Sequence, residues 1–167
     1  MDKFQINSFV ILAKLHFHHI LFMNLDKYSI ESSENNICFY FTSIGRKGSI
    51  KKLIKFQGMK KLNYFNLSFG DIIVNDKIDD KKITDNGDSQ KVLATVANAL
   101  IKFTDAYPDA RIVIVASSPE RTRLYRIGIS NNLNEIKKEF TLLGLLNNKW
   151  EDFEPGRDYK AFLAKRK

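Results

Sequence analysis

Hydrophobic and polar positions are most regularly spaced between residues 84 and 129, and that spacing predicts a helix, a buried strand and a second helix in succession. Asn86 and Gly87 form a turn, and Asp88 follows as the expected helix cap, its carboxylate accepting from first-turn amides. Val92, Leu93, Val96, Ala97, Leu100 and Ile101 recur at helical spacing as a packing stripe, while Gln90, Lys91, Asn98, Lys102 and Asp105 fall elsewhere. Pro108 ends the helix, because the residue before a proline is pushed out of helical backbone space. Ile112, Val113, Ile114 and Val115 are continuously β-branched, which predicts a strand covered on both faces by helices. Ser117-Ser118-Pro119-Glu120 then opens the second helix, with serine as cap, proline at the first position and an acid at the positive helix end. Leu124 and Ile127 are expected to face the core, leaving Arg121, Arg123, Tyr125 and Arg126 as a cluster within two turns.

The flanks read mostly as strands. Ile37, Phe39 and Phe41 alternate with Cys38, Tyr40 and Thr42, and Gly45-Arg46-Lys47-Gly48 turns the chain into a second strand over residues 50–56. A third strand covers residues 64–69, and residues 72–86 form a solvated connection containing a hairpin with a short second arm. After a break near Asn131 and Asn132, a short helix runs through Lys138, followed by strands over residues 140–146, 149–153 and 159–164, with Asn147-Asn148 as a hairpin turn. The expected fold class is α/β (α+β), a mixed and mainly antiparallel sheet with two principal helices in the order β-β-β-α-β-α-β-β-β.

Length and composition add bounds. The 167 residues, 44% of them hydrophobic, suit one domain over residues 23–167. Residues 1–22 are expected to be an apolar extension outside it, from an over-long gene prediction or a loosely attached segment, because Met23 begins a natural-looking start. That stretch is broken by Lys14, His16, His18 and His19, too polar to span a bilayer, and it lacks a small-residue cleavage site. The histidines have no neighbouring acid or cysteine to complete a metal site, and residues 76–88 do not match a calcium loop. A single cysteine, Cys38, excludes an internal disulfide, reads as a packed thiol and fits a reducing cytoplasm. No membrane association is expected.

Lysine and arginine outnumber acids by 27 to 19, a net charge of +8 that favours polyanionic partners: nucleic acid, a phosphorylated cofactor or an acidic protein. Candidate anion-binding groups are Arg121, Arg123 and Arg126, with Lys51, Lys52 and Lys55 in the densest basic run. Two readings stay open for each set. The arginines either bind an anion or pair with surface carboxylates, and the lysines either track a phosphate backbone or protect a sheet edge from aggregation. Trp150, Phe153, Tyr159 and Phe162 read as packing residues, with no RNP-type motif beside them.

Two resemblances emerge from these elements. NLDKYSI, NLSFGD, NGDSQKVLATVA, YPDARIVI, SSPERTRLYRIGI and DYKAFLAKRK, in that order over residues 23–167, resemble an uncharacterised family of small bacterial proteins of unknown function. The element order is also similar to the GNAT acyltransferase fold. That resemblance implies acetyl-CoA as the cofactor, held at its pyrophosphate by the start of the first core helix, here Asn86, Gly87, Ser89 and Gln90, with Ser117 and Ser118 added at the start of the second. It also implies a catalytic tyrosine in a Leu-Tyr pair, here Leu124-Tyr125, protonating the leaving thiolate. The chain departs from the GNAT phosphate loop in having one glycine and an acid, Asp88, where a phosphate would meet helix amides. Three functions follow: a GNAT-like ligand-binding or acyltransferase-like protein, a basic nucleic-acid-binding or toxin-like module, or a catalytically silent protein-interaction domain.

Overall fold

The computed structural model describes residues 26–74, 77–79 and 84–167. The three histidines and the proposed extension over residues 1–22 lie outside the described residues.

Among the described residues the chain forms strands β1 (Glu31–Ser32), β2 (Cys38–Gly45), β3 (Gly48–Gly58), β4 (Tyr64–Ile72) and β5 (Ile78–Asp79), then helix α1 (Ser89–Ala106) and β6 (Arg111–Ile114). Helices α2 (Pro119–Asn131) and α3 (Leu133–Glu139) follow, then β7 (Phe140–Leu146), β8 (Lys149–Asp152) and β9 (Ala161–Arg166). The strands join in one sheet ordered β1-β2-β3-β4-β6-β9-β7-β8, with β5 paired to β4. All pairs are antiparallel except β4 with β6, which α1 joins as a parallel crossover. This is the mixed α/β architecture that the alternation predicts.

Turn chemistry fixes the hairpins. Gly48 (φ 87°) closes the two-residue loop between β2 and β3, where Gly45 faces Gly48. Asn147 and Asn148 both have positive φ, as a type I′ turn between paired Leu146 and Lys149 requires. α2 begins as its sequence suggests: Pro119 stands at the first position, and the Ser118 hydroxyl accepts from the Arg121 amide at 3.3 Å.

Four expectations are corrected. The three described helices all pack on one face of the sheet, where residues of β4, β6, β7 and β9 meet α1, α2 and α3 around one cavity. Ile112 and Ile114 point to that face, while Val113 is half-buried and Val115 is 55% exposed, so β6 is not sandwiched between described helices. β3 lies between β2 and β4, so its lysines guard no edge. Leu124 and Ile127 are about 40% exposed, and α2 turns Tyr125, Gly128 and Ile129 inward instead. Finally, the Asp88 carboxylate makes no cap bond to α1.

α1 is buried over more of its circumference than its stripe implies. Val92, Leu100 and Ile101 are buried as expected, and Ala94, Thr95, Ala99, Phe103 and Thr104 join them. The Thr104 hydroxyl donates to the Leu100 carbonyl at 2.9 Å, which lets a polar side chain sit against the core. Phe103 stacks on Phe56 at 4.0 Å between ring centroids and anchors the helix to β3.

Candidate functional site

α1 and α2 start close together at the same end of the sheet, and between those starts lies a cleft of 80 Å³. Lys52, Phe69, Thr84, Asn86, Asp88, Ser89, Val92, Leu93, Arg121, Leu124 and Tyr125 line it. Lys52 reaches the cleft because β3 alternation puts it on the helix-facing side with Ile54 and Phe56. Its ammonium pairs with Asp71, the residue directly opposite on β4, and Asp71 also accepts from the Thr84 hydroxyl. Arg121 arrives from the first turn of α2. Its guanidinium donates to the Phe69 carbonyl at 3.1 Å and lies 5.8 Å from the centre of the Phe69 ring, whose other neighbour is Tyr125 at 6.0 Å.

Lys52 and Arg121 are 5% and 7% exposed, and they are the two charged side chains buried among the described residues. Both line this one cleft. Removing a charge from water is unfavourable even when it is paired, so two such groups converging on a hollow make this cleft the candidate site.

Asp88 stands at the wall of the cleft but is turned into a hydrogen-bond network. Its carboxylate accepts from the Tyr28 hydroxyl at 2.7 Å and the Ser43 hydroxyl at 2.6 Å. Burial raises the Tyr28 phenol above its usual range, and the Asp88 carboxylate raises it further, although its contact with the Ile44 backbone opposes the shift. Asn86, 2% exposed, clasps the β2–β3 turn: its side chain accepts from the Lys47 amide at 2.7 Å and donates to the Gly48 carbonyl at 3.1 Å and Ser43 Oγ at 2.9 Å. Asn86 thereby fixes the start of α1 against the hairpin. A Cβ on Gly45 would sit 1.9 Å from the Asn86 carbonyl, so only glycine lets the two backbones come this close.

The candidate residues therefore divide. Asn86, Ser89, Arg121, Tyr125 and Lys52 share the cleft. Gly87 and Gln90, with Ser89, face a second groove on the outer side of the α1 start. Ser117 is exposed and Ser118 serves as the α2 cap. Next to that cap, Glu120 is held below the ordinary carboxylate range by bonds from its own amide and from the Ser118 hydroxyl. Arg123 is exposed, and Arg126 pairs with Asp158 and donates to the Arg157 carbonyl at 3.3 Å. Lys51 and Lys55 lie on the sheet face opposite Lys52, so the basic set does not form one surface. Cys38 is half-buried.

Sequence reasoning missed Phe69, Thr84 and Leu93, and with them a second hollow. An apolar cavity of 110 Å³ lies under α1 and α2, against Leu67, Ile114, Leu142 and Ala164 of the sheet. Phe69, Leu93 and Tyr125 line both spaces, which are therefore neighbours. The signal available for Lys52 was its position as the lone lysine among the apolar alternates of β3. Leu93 was legible only as a core residue.

No group of three or more histidine, cysteine or acidic residues able to hold a metal ion occurs among the described residues. No helix among them is long and apolar enough to cross a membrane.

Residues 24–167 match the model of a family of unknown function (DUF6934), and the chain belongs to that family. No curated protein and no solved structure matches it.

Proposed function

We propose that the protein binds an acyl thioester of coenzyme A in the cleft between the starts of α1 and α2, as a GNAT-like ligand-binding or acyltransferase-like protein. One observation carries this reading. The GNAT resemblance assigns opposite ends of the coenzyme to two segments, and Asn86 and Ser89 of the first and Leu124-Tyr125 of the second line a single cleft together with the buried Lys52 and Arg121. The positive end of the 18-residue α1 opens toward the same space. Asp88 does not compete with a phosphate for the helix amides, because its carboxylate bonds Tyr28 and Ser43 instead.

In this reading Arg121 and the first-turn amides of α1 hold an anionic part of the carrier. Tyr125 lies where the polar cleft and the apolar cavity meet. An acceptor nucleophile attacks the thioester carbonyl, the carbon–sulfur bond breaks, and the departing thiolate takes the Tyr125 phenol proton. The proton released by the acceptor restores the phenol. The nucleic-acid reading has less support, because Lys51 and Lys55 do not share a face with Lys52, and Arg126 is engaged by Asp158.

Calorimetric titration of the full chain with acetyl-CoA at near-physiological salt tests the reading. Saturable binding is expected, weakened about 10- to 100-fold in Arg121→Ala, the worth of a charge-assisted bond. Arg126→Ala should bind within twofold of wild type. Tyr125→Phe should also bind normally while losing turnover. Absence of saturable heat in the wild-type chain overturns the proposal.

A further inference from the structure

We infer that the acyl group suited to this protein is a short aliphatic chain of about four or five carbons rather than acetyl. The inference rests on the reading of the cleft as an acyl-thioester site and adds the identity of the acyl group.

The observation behind it is the apolar cavity. It shares Phe69, Leu93 and Tyr125 with the adjoining polar cleft and lies between the inner face of the sheet and the two long helices. Away from β4 it is lined by Ile136, Phe140 and Leu142. Its walls offer almost nothing to a polar guest. Apart from Tyr125, which it shares with the cleft, the polar side chain lining it is Asn132, whose amide donates to the Gly128 carbonyl at 2.8 Å. Water needs two to four polar partners to settle in such a space, so an apolar guest is favoured.

Size narrows the guest. The cavity volume of 110 Å³ is about three-quarters of the ~150 Å³ apolar cavity known to take up benzene, which scales six carbons to about four or five. An acetyl methyl would leave most of the wall without contact atoms. The helices set this limit by their close approach: a Cβ on Gly128 would come within 2.5 Å of Leu93 Cδ1, so α1 and α2 already touch beside the cavity.

The test is a chain-length series on the full chain: coenzyme A alone, then acetyl-, butyryl-, hexanoyl- and octanoyl-CoA, read by calorimetry. Each buried methylene multiplies affinity about fourfold, so butyryl-CoA should bind about 15-fold tighter than acetyl-CoA. The gain should stop near hexanoyl, with octanoyl binding no tighter. Ala97→Leu adds three carbons from the α1 wall and should erase the butyryl preference, while acetyl-CoA and free coenzyme A bind within twofold of wild type. Equal affinity for acetyl and butyryl, or affinity rising steadily through octanoyl, overturns the inference and leaves acyl-CoA binding intact. Should Ala97→Leu fail to fold, the wild-type series decides alone. If coenzyme A and all four thioesters fail to bind, the function proposed above falls, and this inference with it.

Discussion

Two regions of the molecule, the ring cluster at β7–β9 and the cleft at β3–β4, solve the packing problem differently. At the β7–β9 end, Phe153, Tyr159 and Phe162 are fully buried, with ring centroids 5.2–6.4 Å apart. Tyr159 lies on Gly144, where even a Cβ would come within 2.3 Å of the ring, so no hollow is left between that ring and the sheet. The one polar atom there, the Tyr159 hydroxyl, accepts from the Glu154 amide at 3.1 Å and faces Glu151 at 3.1 Å. At the β3–β4 end, two charged side chains are buried beside a cleft, and the apolar core behind them is left partly unfilled. The first arrangement has the character of a stability element. The second forgoes contacts that a leucine or phenylalanine would make, which is the cost expected at the site proposed above.

The largest effect separating the two ends should come from Phe153→Ala. The buried ring is removed from a space with no room to collapse, so urea denaturation should show a loss of about 3–5 kcal/mol. Its effect on ligand affinity, measured where the variant is still folded, should be within twofold. A loss below about 1 kcal/mol would mean that the ring cluster is not the anchor its packing implies.

The cleft end should answer differently to Lys52→Met. Removing the ammonium leaves the half-buried Asp71 with the Thr84 hydroxyl as its remaining partner in this cluster, for a loss of about 2–3 kcal/mol. Adding Asp71→Leu should restore stability to within about 1 kcal/mol, since a buried ion pair replaced by apolar groups is often neutral. Ligand affinity should stay low in the double variant. If the double variant is as unstable as the single one, the ion pair belongs to the scaffold and the contrast between the two ends fails.

The ends also differ in how much the sequence discloses. The packed end was largely legible: the strand over residues 140–146, the Asn147-Asn148 turn and the buried Phe153, Tyr159 and Phe162 follow from alternation and turn chemistry, whereas Trp150, read with them as a packing residue, is 41% exposed. In the cleft, local pattern identified the start of α1 and the α2 cap, because each depends on near neighbours in the chain. It did not disclose that Lys52 faces Asp71, since the β3–β4 register is a long-range fact. Nor did it give the rotation of α2. Leu124 and Ile127 are the more apolar choice, but Gly128, silent on any hydrophobicity scale, lets α2 approach Leu93 and so turns Tyr125 inward. Thr95 and Thr104 read as polar, yet they are buried because their hydroxyls return to the carbonyls of their own helix.

The smallest expected effect concerns two phenols, one near each end, and it is read through pH. Burial raises both Tyr28 and Tyr159 above their usual range, assisted by Asp88 and Glu151 respectively. Each folded phenol therefore holds its proton more tightly than the unfolded one. Stability from this source is fully present below about pH 10 and is lost as pH rises through the folded values. Tyr159→Phe should lose about 1 kcal/mol at pH 7 and show a shallower alkaline decline, with ligand affinity unchanged. Tyr28→Phe should lose a similar amount, but it leaves the Asp88 carboxylate short of one donor at the wall of the cleft, where that charge opposes an anion. Acetyl-CoA should therefore bind several-fold more weakly to Tyr28→Phe than to Tyr159→Phe. Equal affinities would detach the Asp88 network from the site and leave Lys52 and Arg121 as the groups that set the cleft apart.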